Sequence, residues 1–187
     1  MNDIAGNLAT VLQAVARACA AAGRPPGAAR LVAVSKTFPA EAVRAAADAG
    51  QRAFGENYLQ EALGKIEALR GLGLEWHFVG PVQSNKTREL AASFDWVHGV
   101  ERLKIAERLS AQRPGTLPAL DVCVQVNVSG EASKSGCAPQ EAAALCAAVA
   151  GLPRLRLRGL MAIPEAVEKA EQARPAFRAL RELHQAI

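Results

Sequence analysis

Aromatic side chains are scarce in this chain, 4% of 187 residues with a single tyrosine. A core made mainly of aliphatic strands covered by alanine-rich helices is therefore expected. Three histidines and four cysteines lie scattered without ligand spacing, so no metal centre emerges. Cys19, Cys123, Cys137 and Cys146 form no CxxC pair. A chain that is half hydrophobic needs no disulfide staples, so the four read as reduced cytosolic thiols, with Cys137, in a polar loop, the most exposed. Neither GxGxxG, GxSxG nor GxxxxGK[ST] occurs at a strand end, which removes the dinucleotide, nucleophile-elbow and phosphate-loop signatures. No apolar run approaches the ~18 residues of a bilayer span. The N-terminus carries Asp3 where a targeting segment would be basic. A soluble, cytoplasmic protein is expected.

What is present is a modest surplus of positive charge, 22 basic against 18 acidic residues, interspersed along the chain. It suits a small anionic ligand and is too mild and dispersed for nucleic acid. Residues 4–22 read as an amphipathic helix with Ile4, Leu8, Val11, Leu12 and Val15 on one stripe, ended by Gly23 and Pro25-Pro26. From residue 31, short β-branched runs at 31–36, 52–56, 75–80, 96–100, 121–128 and 155–163 alternate with helical patterns near 39–50, 57–70, 85–94, 101–112, 139–151 and 168–186. Such alternation predicts six parallel βα units, in an open doubly wound sheet or a (β/α)₈ barrel. Polar residues recur where these strands end: Lys36, Glu56-Asn57, Gln83 to Asn85, Asn127 and Ser129. A barrel would gather them at one mouth.

Lys36 closes the run Leu31-Val-Ala-Val-Ser-Lys36. An amine held partly desolvated at a buried strand end is suited to attack an aldehyde, although a solvated lysine is an equal alternative. Asn57 can cap a helix or face a ligand. His77 points into a barrel or is satisfied quietly in the core. Ser84 or Asn85 can cap the following helix, and Lys86 beside its start could favour an anion. Ser133-Lys134-Ser135-Gly136 is either a solvated loop or a source of positive charge at the mouth. Arg154, Arg156 and Arg158 alternate on one face of the sixth strand, away from its carboxyl end, and are expected to pair with helix carboxylates.

In order and spacing, Val34-Ser-Lys-Thr37, Phe54-Gly-Glu-Asn-Tyr58, Trp76-His-Phe-Val-Gly-Pro-Val-Gln-Ser-Asn-Lys86, Ser133-Lys-Ser-Gly136 and Arg158-Gly-Leu-Met-Ala-Ile-Pro164 resemble the YggS/PROSC family of pyridoxal 5′-phosphate (PLP) homeostasis proteins. The resemblance covers essentially the whole chain. It implies an α/β fold, a (β/α)₈ TIM barrel of the alanine racemase N-terminal type, with six βα units within 187 residues and strands seven and eight absent. The expected organisation is one PLP-binding barrel domain over 1–187, C-terminally incomplete, with the 4–22 helix preceding it.

The same resemblance implies PLP held as an aldimine on Lys36. Asn57 and His77 would lie near the cofactor ring, Val34 and Met161 would pack by it, and Lys134 would match a lysine of a family loop. No catalytic residue and no metal ligand is implied. The function that follows is reversible PLP holding for vitamin B6 homeostasis without turnover, by a monomer whose partners are PLP and apo forms of PLP-dependent enzymes, with no nucleic acid or membrane. The alternative is a PLP-dependent amino-acid racemase. That chemistry needs a base on each face of the substrate, supplied in alanine racemase-like enzymes by a tyrosine from an additional domain, and here Tyr58 stands alone. A class I aldolase-like barrel would use Lys36 but leave the other motifs without a role.

Overall fold

A computed structural model describes residues 3–128 and 135–187. Six parallel strands alternate with helices, distributed over two compact units, Met1–His77 and Phe78–Ile187. The first unit opens with α1 (Ile4–Ala21), whose first turn is capped where Asp3 Oδ1 accepts the Gly6 N–H at 2.8 Å. Next come β1 (Ala33–Val34), α2 (Ala40–Asp48), β2 (Ala53–Glu56), α3 (Leu59–Ala68) and β3 (Glu75–Phe78), with strand order β1-β2-β3. Ala33 pairs with Phe54 and Val34 with Gly55. Phe54 and Trp76, with ring centres 5.9 Å apart, fill the core with Val43, Ala46, Leu59 and Ala62.

The second unit carries α4 (Thr87–Ser93), β4 (Trp96–Val100), α5 (Leu103–Gln112), β5 (Leu120–Gln125), α6 (Ala142–Ala150), β6 (Leu155–Met161) and α7 (Ala170–Ala186), with strand order β4-β5-β6. A parallel strand with neighbours on both sides and helices over its faces is buried throughout. β5 is buried at all six positions. At the amino end of this sheet the buried Arg113 ties the elements together: Nε donates to Pro118 O at 2.8 Å, and Nη1 donates to Ala91 O at 2.7 Å and Phe94 O at 2.8 Å. Burial lowers its pKa from the usual arginine value, against the opposing charges of Asp95 and Asp121.

The structure corrects several expectations. β1 is two residues long, because only Ala33 and Val34 pair with β2 before the chain turns. The 18-residue helix α1, with mean hydropathy 1.3, is long and apolar enough to cross a bilayer by length and composition, against the expectation that no such run exists. It lies near the N-terminus and packs against α2. Leu8 is buried on its stripe, but Val11 and Leu12 are exposed. Arg154, just before β6, and Arg156 and Arg158 within it do not seek helix carboxylates. Arg156 grips Asp121 of β5 through both Nε and Nη2, Arg158 lies over the Trp96 ring at 5.7 Å, and Arg154 donates to the Ser110 and Ala111 carbonyls ending α5.

Cys137 is buried instead of exposed, because its backbone is tied to the end of β5: its N–H donates to Gln125 O and its carbonyl accepts from Asn127 N–H, each at 2.9 Å. All four cysteines are free and buried. Desolvation raises the Cys137 and Cys146 thiols above their usual pKa and pushes Cys123 up to about 11, so all three are held as inert thiols.

Candidate functional site

Beyond β1 the chain enters a tight turn. Ser35 N–H donates to Gly55 O at 2.9 Å, continuing the β1–β2 ladder for one residue, and Phe38 N–H then returns to Ser35 O at 3.1 Å. Lys36 and Thr37 are the two corner residues. Thr37 has φ +66°, a left-handed conformation at the turn position that normally takes glycine. A β-branched residue persists there only when its surroundings fix it.

Two side chains of α3 and one of β2 do so. Glu61 Oε1 accepts the Thr37 N–H at 2.6 Å. Lys65, 5% exposed, donates to Ser35 O at 2.6 Å, to Glu56 Oε1 at 2.7 Å and to Glu61 Oε1 at 2.6 Å. Ser35 Oγ donates to the same Glu56 oxygen at 2.6 Å. The Lys65 hydrogen bond is the largest influence on Glu61; it overcomes the opposing effect of burial and, with Thr37, holds the carboxyl below its ordinary value of 4.5.

Lys36 stands on this turn with its side chain exposed and, among the described residues, makes no hydrogen bond or ion pair. The expectation of a lysine desolvated at the tip of a buried strand is therefore corrected: β1 ends at Val34, itself half exposed, and the amine projects from the turn. Asn57, just past β2, does not cap α3, whose N-cap is Tyr58 without a side-chain bond. Its Oδ1 is buried without a partner, as is Glu56 Oε2. Orphaned buried acceptors are costly and call for a ligand or a function. Lys36 and Asn57 thus follow two paired neighbouring strands and offer a primary amine and an unpartnered amide oxygen.

His77 is buried in β3 and engaged with its own unit. Its Nε2 donates to Glu75 Oε1 at 2.6 Å, with Arg30 Nη2 3.3 Å away, and Arg30 also pairs with Glu75. Burial pushes the Glu75 carboxyl up, but Arg30 and His77 outweigh it and leave the group below 4.5. Arg30 and Glu75 lie at the amino ends of β1 and β3, so this ring nitrogen is committed away from the Lys36 turn.

In the second unit, Met161 is the half-buried last residue of β6, and its carbonyl accepts the Val126 N–H at 2.8 Å. Ser84-Asn85-Lys86 forms a 3₁₀ turn in which neither Ser84 nor Asn85 caps α4; the Ser84 carbonyl instead takes Thr87 Oγ1 and Arg108 Nε. Lys134 and Ser133 lie outside the described residues. Sequence reasoning missed Glu61 and Lys65. Their i, i+4 spacing on one helix was the available signal.

The alanine racemase N-terminal domain family matches residues 7–187. The chain is 62% identical over 183 residues to the pyridoxal phosphate homeostasis protein of Pseudomonas aeruginosa, covering 98% of this chain and 80% of that protein. This chain belongs to the pyridoxal phosphate homeostasis protein family. Among solved structures, a protein from Bifidobacterium adolescentis described as unknown superposes with a TM-score of 0.89 at 32% identity, covering all of this chain and 81% of that one. The PLP-bound structure of PipY from Synechococcus elongatus, 36% identical, superposes with a TM-score of 0.75 over 91% of this chain and 81% of PipY. Membership in the homeostasis family carries with it the α/β, alanine racemase N-terminal barrel-type architecture that the resemblance implied, where strand and helix alternation had left an open sheet as the other choice.

Proposed function

We propose that this chain holds PLP reversibly as a Schiff base on Lys36 and so serves PLP homeostasis without turnover of its own. The observation that carries the proposal is the exposed, partnerless Lys36 amine on a turn fixed from both sides, beside the orphaned Asn57 amide. PLP-bound PipY supports it by relationship. When bound, PLP supplies an aldehyde that condenses with a primary amine and releases water. The protein's part is to present the amine, to accept or donate at the ring through Asn57, and to wall the site with Val34. His77, locked to Glu75, is proposed to support the site from within the β3 core.

Racemisation, which needs a base on each face of the substrate, is disfavoured on this reading. Tyr58, the single tyrosine, opens α3 with its side chain exposed. The test is direct. The purified protein mixed with PLP should turn yellow, borohydride should fix the cofactor to Lys36, and Lys36→Ala should abolish both. Amino acids added to the loaded protein should not be racemised or consumed. No colour in the wild type removes the proposal, and turnover converts it to the racemase reading.

A further inference from the structure

We infer that Lys65 is a positioning residue for Lys36: its buried ammonium, with Glu61, clamps the backbone on both sides of the PLP-tethering amine. The inference rests on the reading of Lys36 as the tether and assigns no contact between Lys65 and the cofactor. An ammonium has three N–H donors. All three are spent, on Ser35 O, Glu56 Oε1 and Glu61 Oε1 at 2.6, 2.7 and 2.6 Å. Lys65, buried on α3, is thus saturated and is not a second amine for an aldehyde.

What it does is geometric. Ser35 precedes Lys36 and is held at its carbonyl by Lys65; Thr37 follows Lys36 and is held at its N–H by Glu61, which Lys65 in turn orients. The left-handed φ of +66° at Thr37 is the conformation this arrangement maintains. With both flanking peptides pinned, the Lys36 Cα and its side-chain direction are set before any ligand arrives, and the encounter with an aldehyde loses less orientational freedom. The condensation itself is unchanged: the Lys36 nitrogen bonds to the aldehyde carbon, and the aldehyde oxygen leaves as water with the two nitrogen hydrogens.

The test compares Lys65→Met and Glu61→Ala with a control, Arg113→Met, which lies in the other unit and lowers stability for unrelated reasons. Each apo protein is mixed with PLP and the rate of yellow colour is followed, together with the pH at which the coloured band changes. Hydrogen exchange at the Thr37 amide is measured without PLP. Both clamp variants should form colour at least tenfold more slowly, with a displaced pH profile and lost Thr37 protection, while the control matches the wild type in all three. Wild-type rates and profiles in both clamp variants would overturn the inference, as would equal slowing in the control. Should Lys65→Met fail to fold, Glu61→Ala, at a partly exposed position, decides alone. If the wild type takes no colour, the proposed function fails by itself, and the Thr37 exchange still reads the clamp: retained protection in Glu61→Ala sinks it, and lost protection supports it.

Discussion

The backbone N–H of Thr37 donates to Glu61 Oε1 across 2.6 Å, and the same oxygen receives the Lys65 ammonium. A carboxylate that accepts both is worth most when ionised. Its folded pKa lies below the ordinary 4.5, through the Lys65 hydrogen bond first and, after the opposing effect of burial, the Thr37 bond. For a depressed carboxyl the stabilisation is complete above the unfolded pKa and disappears as pH falls through the folded one. Glu75, also depressed, adds to the same trend. The melting temperature should therefore decline as pH drops from about 5 toward 3, and the decline should be shallower in Glu61→Gln. An equal slope in the two proteins would remove Glu61 from the account.

Asn57→Ala separates binding from stability. The Oδ1 atom of Asn57 is buried without a partner, and a desolvated acceptor that gains nothing in return destabilises the apo fold. Its removal should leave the apo protein equally stable or up to about 1 kcal/mol more stable. PLP affinity should nevertheless fall by roughly tenfold, the worth of about one hydrogen bond. Thermal melts with and without PLP, together with an absorbance titration, measure both. A destabilised apo variant would mean that Asn57 is already satisfied in the protein.

Much of the fold was legible because apolar runs and helical periods alternate cleanly. β4 is expected at 96–100 and found at Trp96–Val100. β1 was over-read, since Leu31 and Val32 are as apolar as a strand residue but do not pair with β2, and periodicity cannot report pairing. The position of Lys36 at the end of the first βα strand was visible. Its support was not: a lysine on an amphipathic helix reads as solvated by default, and only the fold shows that Lys65 turns inward to Glu56, a charge hidden in the apolar run Ala53–Glu56. Cys137 was misjudged for a related reason, because a polar stretch looks exposed until backbone bonds to β5 are seen to draw it in.

Arg113 bears on the second unit alone. Its guanidinium gathers three carbonyls, those of Ala91, Phe94 and Pro118, which lose these donors if it is shortened. Arg113→Met keeps much of the buried stem and removes only the donors. Losing charged hydrogen bonds to buried acceptors should cost about 3 kcal/mol, read as a lowered denaturant midpoint with an unchanged slope. A loss under about 0.5 kcal/mol, the level of an ordinary surface change, would show that water replaces the guanidinium.

Gly136 combines a left-handed backbone with a close approach of other backbone atoms. It has φ +122°, and a Cβ there would stand 2.6 Å from Asn127 N and 2.7 Å from the Val126 carbonyl carbon. These atoms are backbone and cannot swing aside. Asn127 N is one donor of the pair of hydrogen bonds by which Cys137 joins the end of β5, and the Val126 carbonyl carbon is bonded to it, while Glu101 Oε2 accepts the Gly136 N–H at 3.3 Å. Gly136→Ala combines a conformation that side chains avoid with a collision, and should destabilise the protein by roughly 3 kcal/mol. It should also release Cys137. Burial keeps that thiol protonated and out of reach in the wild type, so a maleimide should label Cys137 much faster in the variant, at a pH where the wild type barely reacts. Destabilisation without faster labelling would place the damage elsewhere than at the Cys137 tie.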